Sequence, residues 1–224
     1  MIDASGTLKR LSIDCKATVN IGEYSRGGQT RLDNRAADHD MGCTEKYTPF
    51  GIVDEDSAQL FLWFGHSAKT SDFLVDGLEQ WWKRLPDQER DSITQLRIKL
   101  DNGPESHGHR TQFLARLVAF ADTIGCPIQL LYYPPYHSKY NPIERCWGIL
   151  EQHWNGTQLI NVKTMLEWAK SATWKEIHPI VELTHTIYAK GVTLSKAAMK
   201  TIEARLERNP SLPKWDILIR PARG

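Results

Sequence analysis

The segment YYPPYHSKYNPIERCWGILEQHW, residues 132–154, joins the end of a strand to a helix through a stiff turn. Pro134 and Pro135 lack amide hydrogens and have restricted φ, so they hold the turn stiffly. Asn141 is placed as a helix N-cap, Pro142 takes the first helical position, and Glu144 falls in the first turn. The simplest reading of Glu144 is local: an Asn-x-x-Glu capping box. Along the helix, Ile143, Trp147, Leu150 and Trp154 form an apolar stripe that would dock on a sheet. Gly148, four residues after Glu144, leaves space above the acid. Glu151 is a rival carboxylate two turns along, without the proline entry, and ranks below Glu144.

Working outward, a chain of 224 residues, 41% hydrophobic and 25% charged, is long enough for one sizeable core and a small appended unit. No run approaches the roughly 18 apolar residues of a membrane span, and the opening MIDASGTLKR lacks the apolar core of a signal peptide. The expectation is a cytoplasmic protein with no membrane partner. Cys15, Cys43, Cys126 and Cys146 are far apart and form no CxxC pair, which argues against a zinc knuckle or a disulfide framework. The net charge of +1 argues against coating nucleic acid by bulk electrostatics. From Lys190 onward, however, eight bases stand against three acids, a tail that reads either as a phosphate-binding surface or as a solvated helix face.

Taken in order, the chain starts with a strand-like run around LSID that carries Asp14 within it or at its end. The loop NIGEYSRGGQTR follows, with Arg26, Arg31 and Arg35 as candidate phosphate contacts. PFGIVDEDSAQLFLWFGHS reads as a hairpin, its Asp54-Glu55-Asp56 being turn chemistry and not a metal site. A helix over about 71–85 ends at Pro86, and a strand over 96–100 runs into Asp101-Asn102-Gly103-Pro104. A helix over about 111–124 stops at Gly125, and the strand 127–132 returns to the opening segment. This alternation predicts parallel strands with crossover helices. Beyond Trp154 the pattern reads as helical, near 162–173 and 195–208.

Three acids stand at positions where the backbone breaks: Asp14 on the first strand, Asp101 after a later one, and Glu144 at a helix start. A carboxylate in an apolar strand is costly without a partner. If the three converge, their hard oxygens suit Mg²⁺ or Mn²⁺, and a pair of such ions about 4 Å apart drives phosphoryl transfer. His107 and His109, after the DNG, read as a polar loop more readily than as ligands. Asn102, His137, Lys139 and Asn141 lie near the acids in sequence and are candidate contacts to DNA or to water. No serine or cysteine nucleophile is indicated, since Cys15 adjoins Asp14 but points to the opposite face of a strand.

The blocks SIDCKATVNIGEYSRGG, ADHDMG…PFGIVDED, LDNGPESHGHRTQF and PPYHSKYNPIERCWG resemble DDE transposases with a ribonuclease H-like core, specifically the ISAzo-type (Rhodopirellula-type) insertion-sequence family. PPY…NPIE is also similar to the Tc and mariner relatives. The resemblance implies an α/β fold: a ribonuclease H-like mixed sheet flanked by helices over residues 1–155, then a helical, basic C-terminal extension over 156–224. It implies Asp14, Asp101 and Glu144 as catalytic metal ligands, two Mg²⁺ or Mn²⁺ ions, DNA at element ends and targets as partner, and a homo-oligomer assembled on that DNA in the nucleoid. The implied reaction is strand cleavage by water followed by joining of the freed 3′-hydroxyl to target DNA. With the first strand beginning within about ten residues of Met1, the helix-turn-helix region that precedes such cores has no room, and the expectation is a truncated or split copy. Two rivals are a ribonuclease H-like nuclease without strand transfer and a transposase remnant acting as a DNA-binding or assembly module.

Overall fold

The structure is a computed structural model that describes residues 7–28, 30–31, 35–36, 42–134 and 137–222. Its first strand, β1 (Thr7–Cys15), turns Leu11 and Ile13 toward one face of the sheet and Ser12 toward the other, all three buried. A strand covered on both faces carries few polar positions, and the same holds for β3 (Lys46–Asp54) and β4 (Leu60–Gly65), which follow the two-residue β2 (Val19–Asn20). β3 runs antiparallel to β1 and to β4, so these three form a meander. β5 (Ile93–Leu100) pairs parallel to β1, and β6 (Ile128–Tyr132) parallel to β5. The resulting order β4-β3-β1-β5-β6, with β1 at its centre, is the mixed sheet flanked by helices that was expected.

Helices cover both faces. α1 (Ser71–Arg84) opens on Thr70, whose hydroxyl accepts from the Phe73 amide, and α3 (Thr111–Ile124) stops at Gly125 in the left-handed conformation (φ 70°). Between them the short α2 (Asp87–Ser92) follows Pro86. Phe73, Leu74 and Leu78 of α1 and Phe113, Leu114 and Leu117 of α3 pack with Leu11, Ile13 and Leu96 in one core. On the other face α4 (Pro142–Trp154) and α5 (Val162–Ser171) bring Ile143, Trp147, Leu150, Trp154 and Met165 against Leu62 and Phe64. Among the described residues no helix is long and apolar enough to cross a membrane.

The chain beyond residue 155 departs from the helical expectation. It supplies α5 and α6 (Lys196–Glu203), and also β7 (Ile180–Thr184), β8 (Leu206–Arg208) and β9 (Asp216–Ile219). β7 pairs parallel to β4 and β9 antiparallel to β6, so this segment extends the same sheet at both edges. The physical reason is edge protection: β4 and β6 would otherwise present rows of unpaired amides and carbonyls. The helix expected to reach residue 208 ends at Glu203, and the chain turns into β8.

Asp54 behaves as the turn reading requires: Oδ1 accepts from the amides of Asp56 and Ser57, and Oδ2 from the Ser57 hydroxyl. It is also one member of a buried ion group, with Lys9 Nζ 2.6 Å from Asp54 and 2.5 Å from Glu89. Burial raises the Asp54 carboxyl, but Lys9, Ser57 and the Asp56 amide outweigh it and hold the group below its ordinary value. Lys9→Met strands a buried carboxylate and is expected to cost about 3–5 kcal/mol, read by urea denaturation at pH 7. Because the folded-state value is depressed, the wild-type contribution is present above the ordinary aspartate range and lost as pH falls below it. The acid limb of stability should therefore be flatter in Lys9→Met.

Candidate active site

Polar groups on the face of β1 opposite Leu11 and Ile13 position the site. The Ser12 hydroxyl, fully buried, donates to Asn141 Oδ1 and accepts from the Ile143 amide at 3.1 Å. Asn141 Nδ2 donates to the Ile13 carbonyl at 3.3 Å. Asn141 does sit at the N-cap, and its carbonyl receives the Glu144 amide at 3.0 Å, but its side chain makes no cap hydrogen bond. The capping box expected at Asn-x-x-Glu is thus replaced by a clamp between β1 and the start of α4. At 1% exposure Asn141 is also out of reach of DNA, which corrects its place among the candidate contacts.

One turn along α4, Trp147 Nε1 donates to Asp14 Oδ2 at 3.0 Å. The helix lies this close because Gly51, paired with Asp14 across β1 and β3, has no side chain. A Cβ there would stand 2.6 Å from both Ile143 Cδ1 and the Trp147 ring. Ser12, Gly51 and Trp147 were not marked in the sequence. Ser12 lay unremarked in the first strand, Gly51 resembles any strand glycine, and Trp147 reads simply as part of the apolar stripe.

Asp14, Asp101 and Glu144 come together electrostatically. Burial drives the Asp14 carboxyl up to about 6; the Trp147 N–H opposes this, and the charges of Glu144 and Asp101 add to it. Asp101, just past β5, is raised by burial, and its Oδ1 is buried with no hydrogen-bond partner among the described residues. Glu144 is raised by burial and by Asp101, while Lys16 pulls it back. Asp14 and Asp101 line a cavity of about 50 Å³ with Cys15, Phe50, Lys69 and Glu105. Among the described residues no three His, Cys, Asp or Glu side chains stand close enough to hold an ion in this conformation. His107 is pushed down by burial and by its neighbours His109 and Arg110.

The other candidates are distributed differently from expectation. Glu151, the rival acid, is neutralised by Lys16 at 2.8 Å and Arg26 at 3.2 Å. Although burial opposes it, the pairing holds that carboxyl below its ordinary value. Arg26, expected on DNA, is therefore an internal cation, and its guanidinium also lies 5.3 Å from the Trp154 ring centroid. Arg31 stacks over Trp168 at 5.8 Å, and Asn102 Oδ1 accepts from Gly108 N at 3.4 Å within its own loop. His137 and Lys139 are exposed on or beside the 3-10 turn Ser138–Tyr140 that leads into α4, each against the Tyr140 ring. In the basic tail, Arg205, Arg208 and Arg220 pair with Asp122, Glu203 and Glu207, which removes much of its surface charge. Pro135, residues 37–41 of ADHDMG and Arg223 lie outside the described residues.

A family model described as the Rhodopirellula transposase DDE domain matches residues 3–221. No curated protein matches the chain. Among solved structures, one similar chain comes from the cryoEM structure of the simian T-cell lymphotropic virus intasome in complex with PP2A regulatory subunit B56 gamma. It is 17% identical, with a TM-score of 0.40, and the match covers 66% of this chain and 39% of that one.

The raised Asp14 carboxyl has a direct cost. A folded-state value of about 6 against an ordinary 3.8 means that stability falls as pH rises between the two, because the folded chain binds the proton more tightly. Asp14→Asn is expected to be more stable than wild type at pH 7 by on the order of 1–2 kcal/mol and equal to it below pH 4. Urea titrations at the two pH values check this.

Proposed function

The chain belongs to the Rhodopirellula transposase DDE domain family, and from that premise we propose that it is a metal-dependent polynucleotidyl transferase acting on DNA. In this reading it cleaves a strand at insertion-sequence ends and joins the freed 3′-hydroxyl to target DNA. The observation that carries the reading is the placement of three desolvated acids from β1, the end of β5 and the start of α4 within electrostatic reach: Asp14 feels the charges of Glu144 and Asp101, and Glu144 that of Asp101. Structural acids normally find a cation; among the described residues Asp14 and Asp101 form no ion pair and stand in a desolvated cleft, while Lys16 acts on Glu144.

The donor set fits a hard divalent cation. Carboxylate oxygens are the ligands Mg²⁺ and Mn²⁺ take, Asp101 Oδ1 is a buried acceptor with no donor among the described residues, and a positive ion would offset the burial and the neighbouring charges that raise Asp14. Asp14, Asp101 and Glu144 would hold the ions, probed as Mg²⁺ or Mn²⁺, which when bound supply Lewis-acid stabilisation to the scissile phosphodiester. The chain's own residues set the geometry. Trp147 fixes the orientation of the Asp14 carboxylate through its Oδ2. The Ser12–Asn141 clamp holds the first turn of α4, and with it Glu144, against β1. Cleavage and joining then need no covalent enzyme intermediate. The expected partners are element ends and target DNA, with self-assembly on the paired ends and a cytoplasmic, nucleoid-bound site of action.

Asp101→Asn should lose at least about a thousandfold in Mn²⁺-dependent strand transfer from a pre-cut end, equivalent to about 4 kcal/mol, while keeping its fold. Unchanged DNA processing in that variant would end the catalytic reading, and nicking without joined product in wild type would favour a simple nuclease. Trp147→Phe keeps the packing against Gly51 and removes only the N–H. It should lower the transfer rate about tenfold and raise the Mn²⁺ concentration needed for half-maximal rate, a split that lost packing alone would not give.

A further inference from the structure

A groove of about 820 Å³ opens beside the acid cleft and shares Lys69 and Glu105 with it. Among the described residues four bases line it, Lys46, Lys69, Arg110 and Lys190, together with His66, against the single acid Glu105. In a chain of net charge +1 this is a local excess of cations. Lys69 lies 3.5 Å from Glu105, while Lys46 and Lys190 are exposed and have no acidic partner among the described residues. Arg110 is anchored by donation to the Val192 carbonyl at 3.4 Å, yet its Nε is buried without a partner among the described residues. Hydroxyls of Thr18, Thr48, Ser67 and Thr70 complete the lining.

The position follows from topology. The groove is bounded by the segment after β1, the start of β3, the turn between β4 and α1, and the loop between β5 and α3. With β1 antiparallel to β3 and parallel to β5, all of these lie at the end of the sheet where the strands β1 and β5 deliver Asp14 and Asp101. Among the described residues no Phe, Tyr or Trp is in the lining, so it offers charge and hydrogen-bond donors without a stacking platform. Such a surface holds phosphates and does not read bases. Its volume is that of a small-ligand pocket, suited to a short single strand and too small for a duplex.

Resting on the transferase reading of the neighbouring acids, we propose that this groove binds the phosphodiester backbone of a short unpaired DNA strand running on from the scissile phosphate, independently of its sequence. Lys46 and Lys190 hold the phosphates at the open wall, and Arg110 and Lys69 hold those nearest the acids.

The test uses the full chain and fluorescent DNA, either blunt or carrying a single-stranded overhang, without metal so that no cleavage occurs. Salt dependence of binding is compared for wild type, Lys46→Gln/Lys190→Gln, and the control Lys83→Gln/Lys170→Gln, which removes two exposed charges elsewhere. All four lysines are exposed, so folding is expected to be retained, checked by melting temperature. Each lost phosphate contact lowers the salt slope by about 0.7, so the groove variant should lose about 1.4 in slope and at least about tenfold in affinity for overhang DNA at low salt. Its preference for overhang over blunt DNA should vanish, whereas the control keeps it. Equal slopes in groove variant and control, or no wild-type preference for the overhang, would overturn the proposal. Strand transfer in Mn²⁺ is scored separately: its absence in wild type with the slope change intact removes the transferase reading and leaves the strand-binding groove standing.

Discussion

The helix α4 is fixed to the central strand β1 by a buried polar clamp, and the placement of the acids depends on it. Ser12 donates to Asn141 and accepts from the Ile143 amide, and Asn141 donates to the Ile13 carbonyl, at a site with almost no solvent exposure that joins distant parts of the chain. An amide and a hydroxyl buried without partners would each cost on the order of 1–3 kcal/mol, so the clamp has one satisfied arrangement and many penalised ones. Apolar packing by Ile143, Trp147 and Leu150 would hold the helix to the sheet in several registers. The polar pair selects one of them, and in that register Trp147 reaches Asp14 and Glu144 faces the charge of Asp101.

The acid site is held together against its own electrostatics. Asp14 and Glu144 repel, Asp101 has a buried oxygen lacking a donor, and burial disfavours ionisation of all three. Elsewhere the same fold satisfies its charges closely. Glu151, seven residues along α4 from Glu144, has two cations, Asp54 is paired with Lys9, and Arg116 collects Asp72, Asp76 and Glu79 across α1 and α3. The contrast between paired acids and the three at the strand ends separates framework from site within one chain.

Much of this was legible from the residues. The five central strands and the helices that flank them are long, periodic and bounded by Pro, Gly or a cap, and the three acids stood out because each sits where the backbone breaks. The strands β7, β8 and β9 were missed because stretches of three to five residues carry too little period to tell from helix. Asn141 was misread for a different reason: the same residue type at a helix start serves as a cap, as a surface contact or as a bridge to another element, and only the partner decides. Arg26 was likewise assigned to the surface on residue type alone, although Trp154 and Glu151 of α4 capture it. Local sequence carries local preference; the partner of a polar side chain lies elsewhere in the chain.

Gly51 leaves α4 resting directly on the strand backbone, with the Trp147 ring and Ile143 filling the space a side chain would take. A helix seated that closely has no slack in which to slide or tilt. Any change in the spacing of Asp14 and Glu144 is therefore left to rotations about side-chain bonds, above all those of the half-buried Glu144, while the backbone stays still. Side-chain rotation is far faster than any closure of domains, so the sheet and its helices serve as a fixed jig.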